Sequence, residues 1–316
     1  MQKTKDLSQF SAEKLQEFLT SFDIVLSDID GVVWNIYHPI KGAFESLAIL
    51  KKLGKKIYLV TNNSENTDQT YCDRARDAGL NLNPDNVINI VKVMIWYLNK
   101  IHFHDEVFAI VSDESRNALE KAGIQITKKE PKVYDKKPAS TVKDILDRPS
   151  IKAVILDFDS RCNWSKLALA ISCLERKEVL FLSGGTEEWI YIESVNNSKV
   201  KILGVGPFVR LISTQTGKSS ISCGKPSSTL KDYILDKCNV TDPQRCLFIG
   251  DSVHQDMRFA SMCGFKKLLV GTGNDSLEKA QKESDTYPDY YIPALSQLFS
   301  AHKDLKLLRT VSDENS

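Results

Sequence analysis

The sequence predicts an α/β protein whose core is a doubly wound parallel sheet. Short apolar runs alternate along the chain with segments in which apolar residues recur at helical spacing. Several of the helical segments are followed by a glycine that would end the helix. Gly54 follows the segment over 43–52, and Gly79 follows the segment over 68–78. A strand–helix alternation of this kind is typical of a parallel sheet that is covered by helices.

The alternation accounts for most of the chain. The segment over 1–22 mixes charged residues with regularly spaced apolar ones and is expected to form a short amphipathic helix before the first strand. Strands are predicted over 24–26, 57–60, 107–111, 153–156, 179–182, 246–249 and 267–270. Helices are predicted over 43–52, 68–78, 114–122, 164–175, 228–237 and 255–262.

Two segments are predicted to be linkers, at 100–105 and 204–207. About 100 residues lie between them with a strand–helix pattern of their own, which is long enough for a small domain with its own core. We therefore expect a main domain over 1–103 and 206–300, an inserted domain over 104–205, and a tail over 301–316.

Composition excludes several classes of protein. The chain has 42 Lys and Arg against 41 Asp and Glu, so its net charge of +1 provides no strong field for nucleic acid or anionic membrane. Seven cysteines form no C-x-x-C pair, which favours reduced thiols over disulfides or zinc fingers. No signal-peptide core or membrane-length apolar run is present, and we expect a cytoplasmic protein.

Four polar clusters follow apolar runs or precede a helix. They are Asp28-Ile29-Asp30-Gly31, Thr61-Asn62-Asn63-Ser64, Gly224-Lys225-Pro226-Ser227, and Gly250-Asp251-Ser252 with Asp256. If the strands are parallel neighbours, the clusters converge on one sheet edge, where ligands of open α/β sheets bind. Carboxylates, a hydroxyl and a lysine suit phosphoryl transfer, in which one acid acts as nucleophile, another protonates the leaving oxygen, and Mg²⁺ binds hard oxygens.

Each cluster taken alone also has a plainer structural explanation. The pair Asp28 and Asp30 repel each other unless a cation or a proton lies between them, yet Asp and Gly also favour turns. The run 61–63 could form a turn, Lys225 could be a solvated loop residue, and Asp251 could stabilise a helix N-terminus. Four such clusters in this order are much harder to assign to chance.

The four clusters together resemble the motifs of the haloacid dehalogenase (HAD) superfamily, and most closely those of its C2-capped phosphatases. The matching runs are Asp-x-Asp-Gly-Val-x-Trp at 28–34, Val-Thr-Asn-Asn-Ser at 60–64, Gly-Lys-Pro-Ser at 224–227 and Gly-Asp at 250–251. The resemblance covers about residues 20–300. It implies a Rossmann-like core with an inserted α/β C2 cap domain, and a possible homodimer formed through the cap.

The resemblance also implies roles for the matching residues. Asp28 would be the nucleophile that forms an aspartyl-phosphate, and Asp30 would be the general acid and then the base. Thr61 and Lys225 would hold phosphoryl oxygens, with phosphate contacts also from the Asn62–Asn63 segment.

The metal implied by the resemblance is Mg²⁺. It would be bound by Asp28, Asp251 and the main-chain carbonyl of Asp30. Asp256 would orient the waters of the metal from outside the ligand set.

Several positions depart from the pattern of that family. Glu65-Asn66-Thr67-Asp68 stands where Ser-Lys-Thr-Arg is usual, and the 182–186 segment lacks a frequent Thr-Asn-x-Asp run. His254 replaces an acid and is expected either to alter hydration at the metal or to be a plain surface residue. The run Asp157-Phe158-Asp159 also follows an apolar strand, but it lacks the following Gly-Val and is interpreted as a structural or cap-edge site.

The expected function is Mg²⁺-dependent hydrolysis of a small phosphorylated metabolite, with phosphoglycolate, glycerol phosphate and pyridoxal phosphate as candidates. Two alternatives remain open at this point. One is a weakly active or inactive phosphate-binding scaffold, and the other is a phosphoprotein phosphatase.

Overall fold

The computed structural model describes residues 4–35, 38–131, 148–193 and 199–300, together with 142 and 145. The tail predicted over 301–316 lies outside the described residues. The described residues form two compact units. The first draws on Met1–Thr61, Asp68–Ile88 and Ile234–Ser316, and the second on Asn62–Thr67 and Asn89–Tyr233. The domain limits expected from the sequence stay a prediction.

The first unit is built on a sheet of seven strands, numbered here along the chain. Their bounds are β1 Lys5–Asp6, β2 Ile24–Ser27, β3 Lys56–Thr61, β4 Val87–Asn89, β11 Cys246–Gly250, β12 Lys266–Val270 and β13 Tyr290–Ile292. The order across the sheet is β1-β13-β12-β11-β2-β3-β4. Strand β11 pairs in parallel with both β2 and β12, and every residue of β2 and β11 is buried. Burial on both faces explains why these strands are mostly apolar.

The helices of the first unit are α1 Ala12–Thr20, α2 Ala43–Lys52, α3 Asp68–Asp77, α9 Arg258–Cys263 and α10 Leu277–Ala280, and α8 Ser228–Lys237 begins in the second unit. Short 3₁₀ helices lie at Leu7–Gln9, Pro84–Asn86, Pro243–Arg245 and Leu295–Gln297. Helix α1 shows how local sequence and packing combine. The Ser11 side chain caps its N-terminus, and its buried residue Phe18 packs edge-on against Phe22 at a centroid distance of 5.1 Å.

The second unit contains a four-stranded parallel sheet in the order β10-β7-β6-β5. Its strands are β5 Glu106–Ile110, β6 Ile151–Leu156, β7 Leu180–Ser183 and β10 Ile221–Ser222, and an antiparallel pair is formed by β8 Trp189–Glu193 and β9 Lys199–Leu203. Its helices are α4 Ile90–Lys100, α5 Asp113–Lys121, α6 Trp164–Leu174 and α7 Gly206–Thr216. Phe108, Val154 and Phe181 contribute to a buried core shared by three of the strands.

The predicted strands and most predicted helices are confirmed, with ends that differ by one or two residues. Several features differ from the expectation. The residues at 206 and 207, placed in a linker, begin α7 instead, because a proline in the first turn of a helix needs no N–H partner. The helix expected over 255–262 begins with a π-helical turn, Val253–Met257. Helices α4, α7 and α10, strands β1, β4, β10 and β13, and the β8–β9 pair were not predicted, and the helix expected over 1–22 covers only Ala12–Thr20. No helix of the described residues is both long enough and apolar enough to cross a membrane.

The core of the second unit can be tested with two aromatic residues of opposite exposure. Phe108 is fully buried, whereas the Trp164 side chain is 82% exposed. We expect Phe108→Ala to lower the free energy of unfolding by about 3–5 kcal/mol, because the substitution removes buried apolar area and leaves a cavity. Trp164→Ala, the matched control, should change it by less than about 0.5 kcal/mol. Urea unfolding measures both, and equal losses would contradict this packing.

Candidate active site

Three buried carboxylates meet at the carboxyl edge of the first sheet. Asp28, Asp251 and Asp256 each offer an oxygen atom, and these atoms lie within 4.8 Å of one another. Asp28 follows β2 and Asp251 follows β11, and the pairing of the two strands sets Ile249 opposite Ser27. The backbone N–H of Asp28 donates to the Ile249 carbonyl at 2.9 Å and extends the pairing by one residue. Parallel pairing therefore brings together acids that are more than 200 residues apart.

Backbone N–H groups orient two of these acids. Asp256 Oδ2 accepts hydrogen bonds from the N–H of Asp251 at 3.0 Å and of Ser252 at 3.1 Å. Asp251 Oδ2 accepts from the backbone and side-chain nitrogens of Asn274 at 2.7 and 2.9 Å. These hydrogen bonds fix the orientation of both carboxylates in the buried site.

Two glycines allow the backbone to approach Asp251 closely. A Cβ at Gly31 or at Gly273 would overlap with the Asp251 carboxylate. Gly31 also has a φ of +83°, which L side chains rarely adopt, and its carbonyl accepts a hydrogen bond from Thr272 Oγ1 at 2.6 Å. The glycine of the first motif is thus required both by backbone conformation and by space.

The loop that follows β12 contributes to this site, and sequence reasoning missed it. Thr272, Gly273 and Asn274 contact Gly31 or Asp251, as described above. A signal was present, because Gly271-Thr272-Gly273-Asn274 is a polar cluster directly after a predicted strand, as in the other motifs.

Two further predicted site residues lie near the same edge of the sheet. Thr61 is the buried last residue of β3, which pairs with β2 so that Leu59 is opposite Ser27. Asp30 is exposed and lies in the turn after β2, where the Gly31 N–H donates to the Trp34 carbonyl at 2.7 Å. His254, on the π-helical turn, is exposed.

The remaining predicted residues belong to the second unit, where Asn62 and Lys225 are directly bonded. The Lys225 N–H donates to Asn62 Oδ1 at 2.7 Å, and Asn62 Nδ2 donates to the Lys225 carbonyl at 3.0 Å. Lys225 is completely buried. Asn63 instead accepts from the Glu65 N–H at 2.9 Å, which is the local turn considered as the alternative for this segment.

Comparison with known families identifies the superfamily. A model described as haloacid dehalogenase-like hydrolase matches residues 25–125, and a HAD-hydrolase-like model matches residues 222–298. The matched segments cover more than half of the chain and contain all four polar clusters. The chain belongs to the haloacid dehalogenase-like hydrolases.

Curated relatives of this hydrolase are phosphatases and match almost its whole length. Glycerol-3-phosphate phosphatase of Rattus norvegicus is 26% identical, with 93% of this chain and 95% of the relative covered. The 4-nitrophenylphosphatase of Schizosaccharomyces pombe is 26% identical over 91% of this chain and 97% of its own. Phosphoglycolate phosphatase 1A of Arabidopsis thaliana is 27% identical over 91% and 79%.

The predicted fold class is confirmed by likeness to solved structures. Glycerol phosphate phosphatase of Mycobacterium tuberculosis, solved in complex with magnesium, superposes with a TM-score of 0.71 at 20% identity and covers 97% of this chain and 80% of its own.

The run 157–159 in this hydrolase, which imitates the first motif, is engaged in internal contacts of the second unit. Asp157 accepts a hydrogen bond from Ser64 Oγ at 2.5 Å, and burial raises the pKa of its carboxyl to about 6, although the Ser64 bond opposes the shift. Asp159 forms a buried ion pair with Lys166, with 2.8 Å between Oδ2 and Nζ. These contacts support the structural interpretation of the run.

The raised pKa of Asp157 has a consequence for stability that can be measured. At pH values between 3.8 and about 6, the Asp157 carboxyl is protonated in the folded protein but ionised in the unfolded chain. The contribution of this group to the free energy of unfolding therefore falls as pH rises through that range. Between pH 5 and pH 7.5 the free energy of unfolding of the wild type should therefore fall by about 1 kcal/mol more than that of Asp157→Asn. Urea unfolding of both proteins at both pH values measures this difference.

The control is Asp113→Asn. Asp113 is ion-paired with Arg161, and hydrogen bonding from that guanidinium lowers the pKa of the carboxyl, so the group is ionised throughout this range. Its substitution should leave the pH dependence unchanged. Parallel profiles for the wild type and Asp157→Asn would contradict the buried, proton-holding state of Asp157.

Proposed function

We propose that this hydrolase is a Mg²⁺-dependent phosphomonoesterase that acts on small phosphorylated metabolites through an aspartyl-phosphate on Asp28. The observation that carries the proposal is the cluster of three buried carboxylate oxygens within 4.8 Å of one another at the carboxyl edge of the first sheet. Ligands of open α/β sheets bind at this edge.

The donor set fits a hard divalent cation. Three buried like charges repel strongly, and a cation between them removes most of that cost. Mg²⁺ prefers carboxylate oxygens and keeps several waters. In the proposed arrangement Asp28, Asp251 and the Asp30 carbonyl would bind the ion, and Asp256 would orient its waters while its own Oδ2 is held by two backbone N–H groups. The bound ion would neutralise charge as two anions approach each other.

The proposed chemistry takes place on two side chains of the first motif. A carboxylate oxygen of Asp28 attacks phosphorus, and the bond from phosphorus to the ester oxygen breaks while Asp30 protonates the leaving oxygen. Asp30, now a carboxylate, takes a proton from water. The resulting nucleophile attacks the phosphorus of the aspartyl-phosphate, which releases inorganic phosphate and restores Asp28. The exposed position of Asp30 suits proton exchange with water.

In this proposal the phosphoryl oxygens are bound by Thr61, by Lys225 and by the backbone around Asn62 and Asn63. A hydroxyl and an ammonium group can stabilise charge that develops on these oxygens in the transition state. The complete burial of Lys225 supports this role, because a buried lysine requires an anionic or hydrogen-bonding environment.

The names of the relatives support small phosphate esters as the substrate class. Their names include phosphatases of glycerol 3-phosphate and phosphoglycolate, and chronophin is 26% identical over 92% of this chain. We assign glycerol phosphate, phosphoglycolate and pyridoxal phosphate as candidate substrates.

Loss of the nucleophile tests the reaction. We expect Asp28→Asn to lower hydrolysis of 4-nitrophenyl phosphate in Mg²⁺ by about three orders of magnitude or more, because an amide oxygen does not form the covalent intermediate. The control is Asp23→Asn, an exposed acid before the amino end of the same strand that is paired with Arg245. It should retain wild-type turnover.

A wild type without EDTA-sensitive hydrolysis would refute the enzymatic proposal and favour the scaffold. Turnover of a phosphopeptide with none of the small esters would favour the phosphoprotein alternative.

The metal site has a test that does not depend on turnover. Asp256→Asn keeps an oxygen that can accept the two backbone N–H groups but removes one negative charge. We expect Mn²⁺, a probe for Mg²⁺ in calorimetric titration, to bind about 10–100-fold more weakly to this variant. Asp23→Asn again provides the control, and equal Mn²⁺ affinities for Asp256→Asn and the wild type would remove Asp256 from the site.

A further inference from the structure

The loop that follows β7 in the second unit is covered by two carboxylates. A Cβ at Gly184 would overlap with the Asp157 carboxylate, and a Cβ at Gly185 would overlap with that of Glu187. Glycine at both positions of the 182–186 segment therefore leaves space for these two acids, since any larger residue there would displace the carboxylates. Asp157 also accepts from the Gly185 N–H at 3.3 Å.

Glu187 extends from this loop to Asn62. Asn62 Nδ2 donates to Glu187 Oε1 at 2.8 Å and to the Lys225 carbonyl at 3.0 Å, while Asn62 Oδ1 accepts from the Lys225 N–H at 2.7 Å. These bonds use both ends of the Asn62 amide, so its orientation is defined. A rotated amide would place a carbonyl oxygen against the Glu187 carboxylate and the Lys225 carbonyl.

The backbone of Glu187 is itself anchored. Its carbonyl accepts from the N–H of Gly206, the first residue of α7, at 2.9 Å. A Cβ at Gly204 or Gly206 would crowd the same carbonyl, so glycine at both positions permits the contact. The Glu187 side chain thus extends from a fixed backbone and can hold Asn62 in place.

We propose that Glu187 is a positioning residue that holds Lys225 in register through Asn62. The proposal rests on the proposed function, in which Lys225 stabilises charge on the phosphoryl group. A hydrogen bond to a carboxylate is stronger than one between neutral groups, and its loss frees the Asn62 amide to rotate away from the backbone of Lys225. Misplacement of a charged group by even 1 Å reduces transition-state stabilisation.

Neighbouring acids provide a matched set of variants. Glu187→Ala removes the acceptor, and Glu187→Gln keeps an oxygen for Asn62 but removes the charge. Glu188→Ala is the control, because Glu188 is exposed and paired with Arg210 on the surface. We expect Glu187→Ala to lower kcat for 4-nitrophenyl phosphate about 10-fold with less than a threefold change in KM, since Lys225 acts on developing charge. The kcat of Glu187→Gln should lie within about threefold of the wild-type value, and the kcat of Glu188→Ala should equal the wild-type value.

A wild-type kcat in Glu187→Ala, or an equal loss in Glu187→Gln and Glu187→Ala, would overturn the positioning role. If Glu187→Ala lost activity because it unfolds, its Tm would be lower than that of the wild type. The positioning role instead predicts Tm values within about 2 °C for the wild type, Glu187→Ala, Glu187→Gln and Glu188→Ala.

Hydrogen exchange of the full chain, followed by NMR, separates this inference from the function on which it rests. The Lys225 amide and the Asn62 side-chain amide should be protected in the wild type and in Glu187→Gln, and should lose at least about 10-fold protection in Glu187→Ala. If the wild type is inactive but this pattern holds, the proposed function fails and the positioning contact stands. If protection is unchanged in Glu187→Ala, the positioning role is refuted whatever the activity.

Discussion

The burial of three carboxylates at the end of one pair of parallel strands is the constraint on which the rest of the first unit depends. Asp28, Asp251 and Asp256 repel one another at these distances, and low exposure makes the repulsion stronger than in water. Hydrogen bonds from two backbone N–H groups and from Asn274 compensate part of that cost. A cation would compensate the remainder. The cluster of three carboxylates that destabilises the metal-free protein is therefore also the arrangement that suits metal binding.

Close approach of backbone to a carboxylate recurs in both units. Gly31 and Gly273 leave space for Asp251, and Gly250 does the same for Asp256, since a Cβ there would overlap with that side chain. In the second unit Gly184 and Gly185 leave space for two other acids. A glycine at such a place lowers local stability through backbone entropy, but it allows N–H groups and turns to surround an acid without a side chain in between. Orientation of charged groups by the backbone is therefore a shared feature of the two units.

Local patterns predicted seven strands well because each of them is a short run of mostly apolar residues, as in β2 and β11. The antiparallel β8–β9 pair was missed, since Trp189, Val200 and Leu203 are exposed and leave no buried-strand pattern. The π-helical turn at Val253–Met257 was also missed. It brings Asp256 back onto the N–H groups of residues 251 and 252, a contact that helical periodicity does not encode.

The sequence by itself determined the chemistry that is available and the superfamily, because motif residues such as Asp28, Lys225 and Asp251 are recognisable from their type and their position after strands. Only the tertiary structure decided which of them meet. The order of strands in the sheet differs from their order in the chain, so β11 lies beside β2 across more than 200 residues. Pairings such as Asn274 with Asp251 and Glu187 with Asn62 depend on loop geometry, which no local pattern specifies.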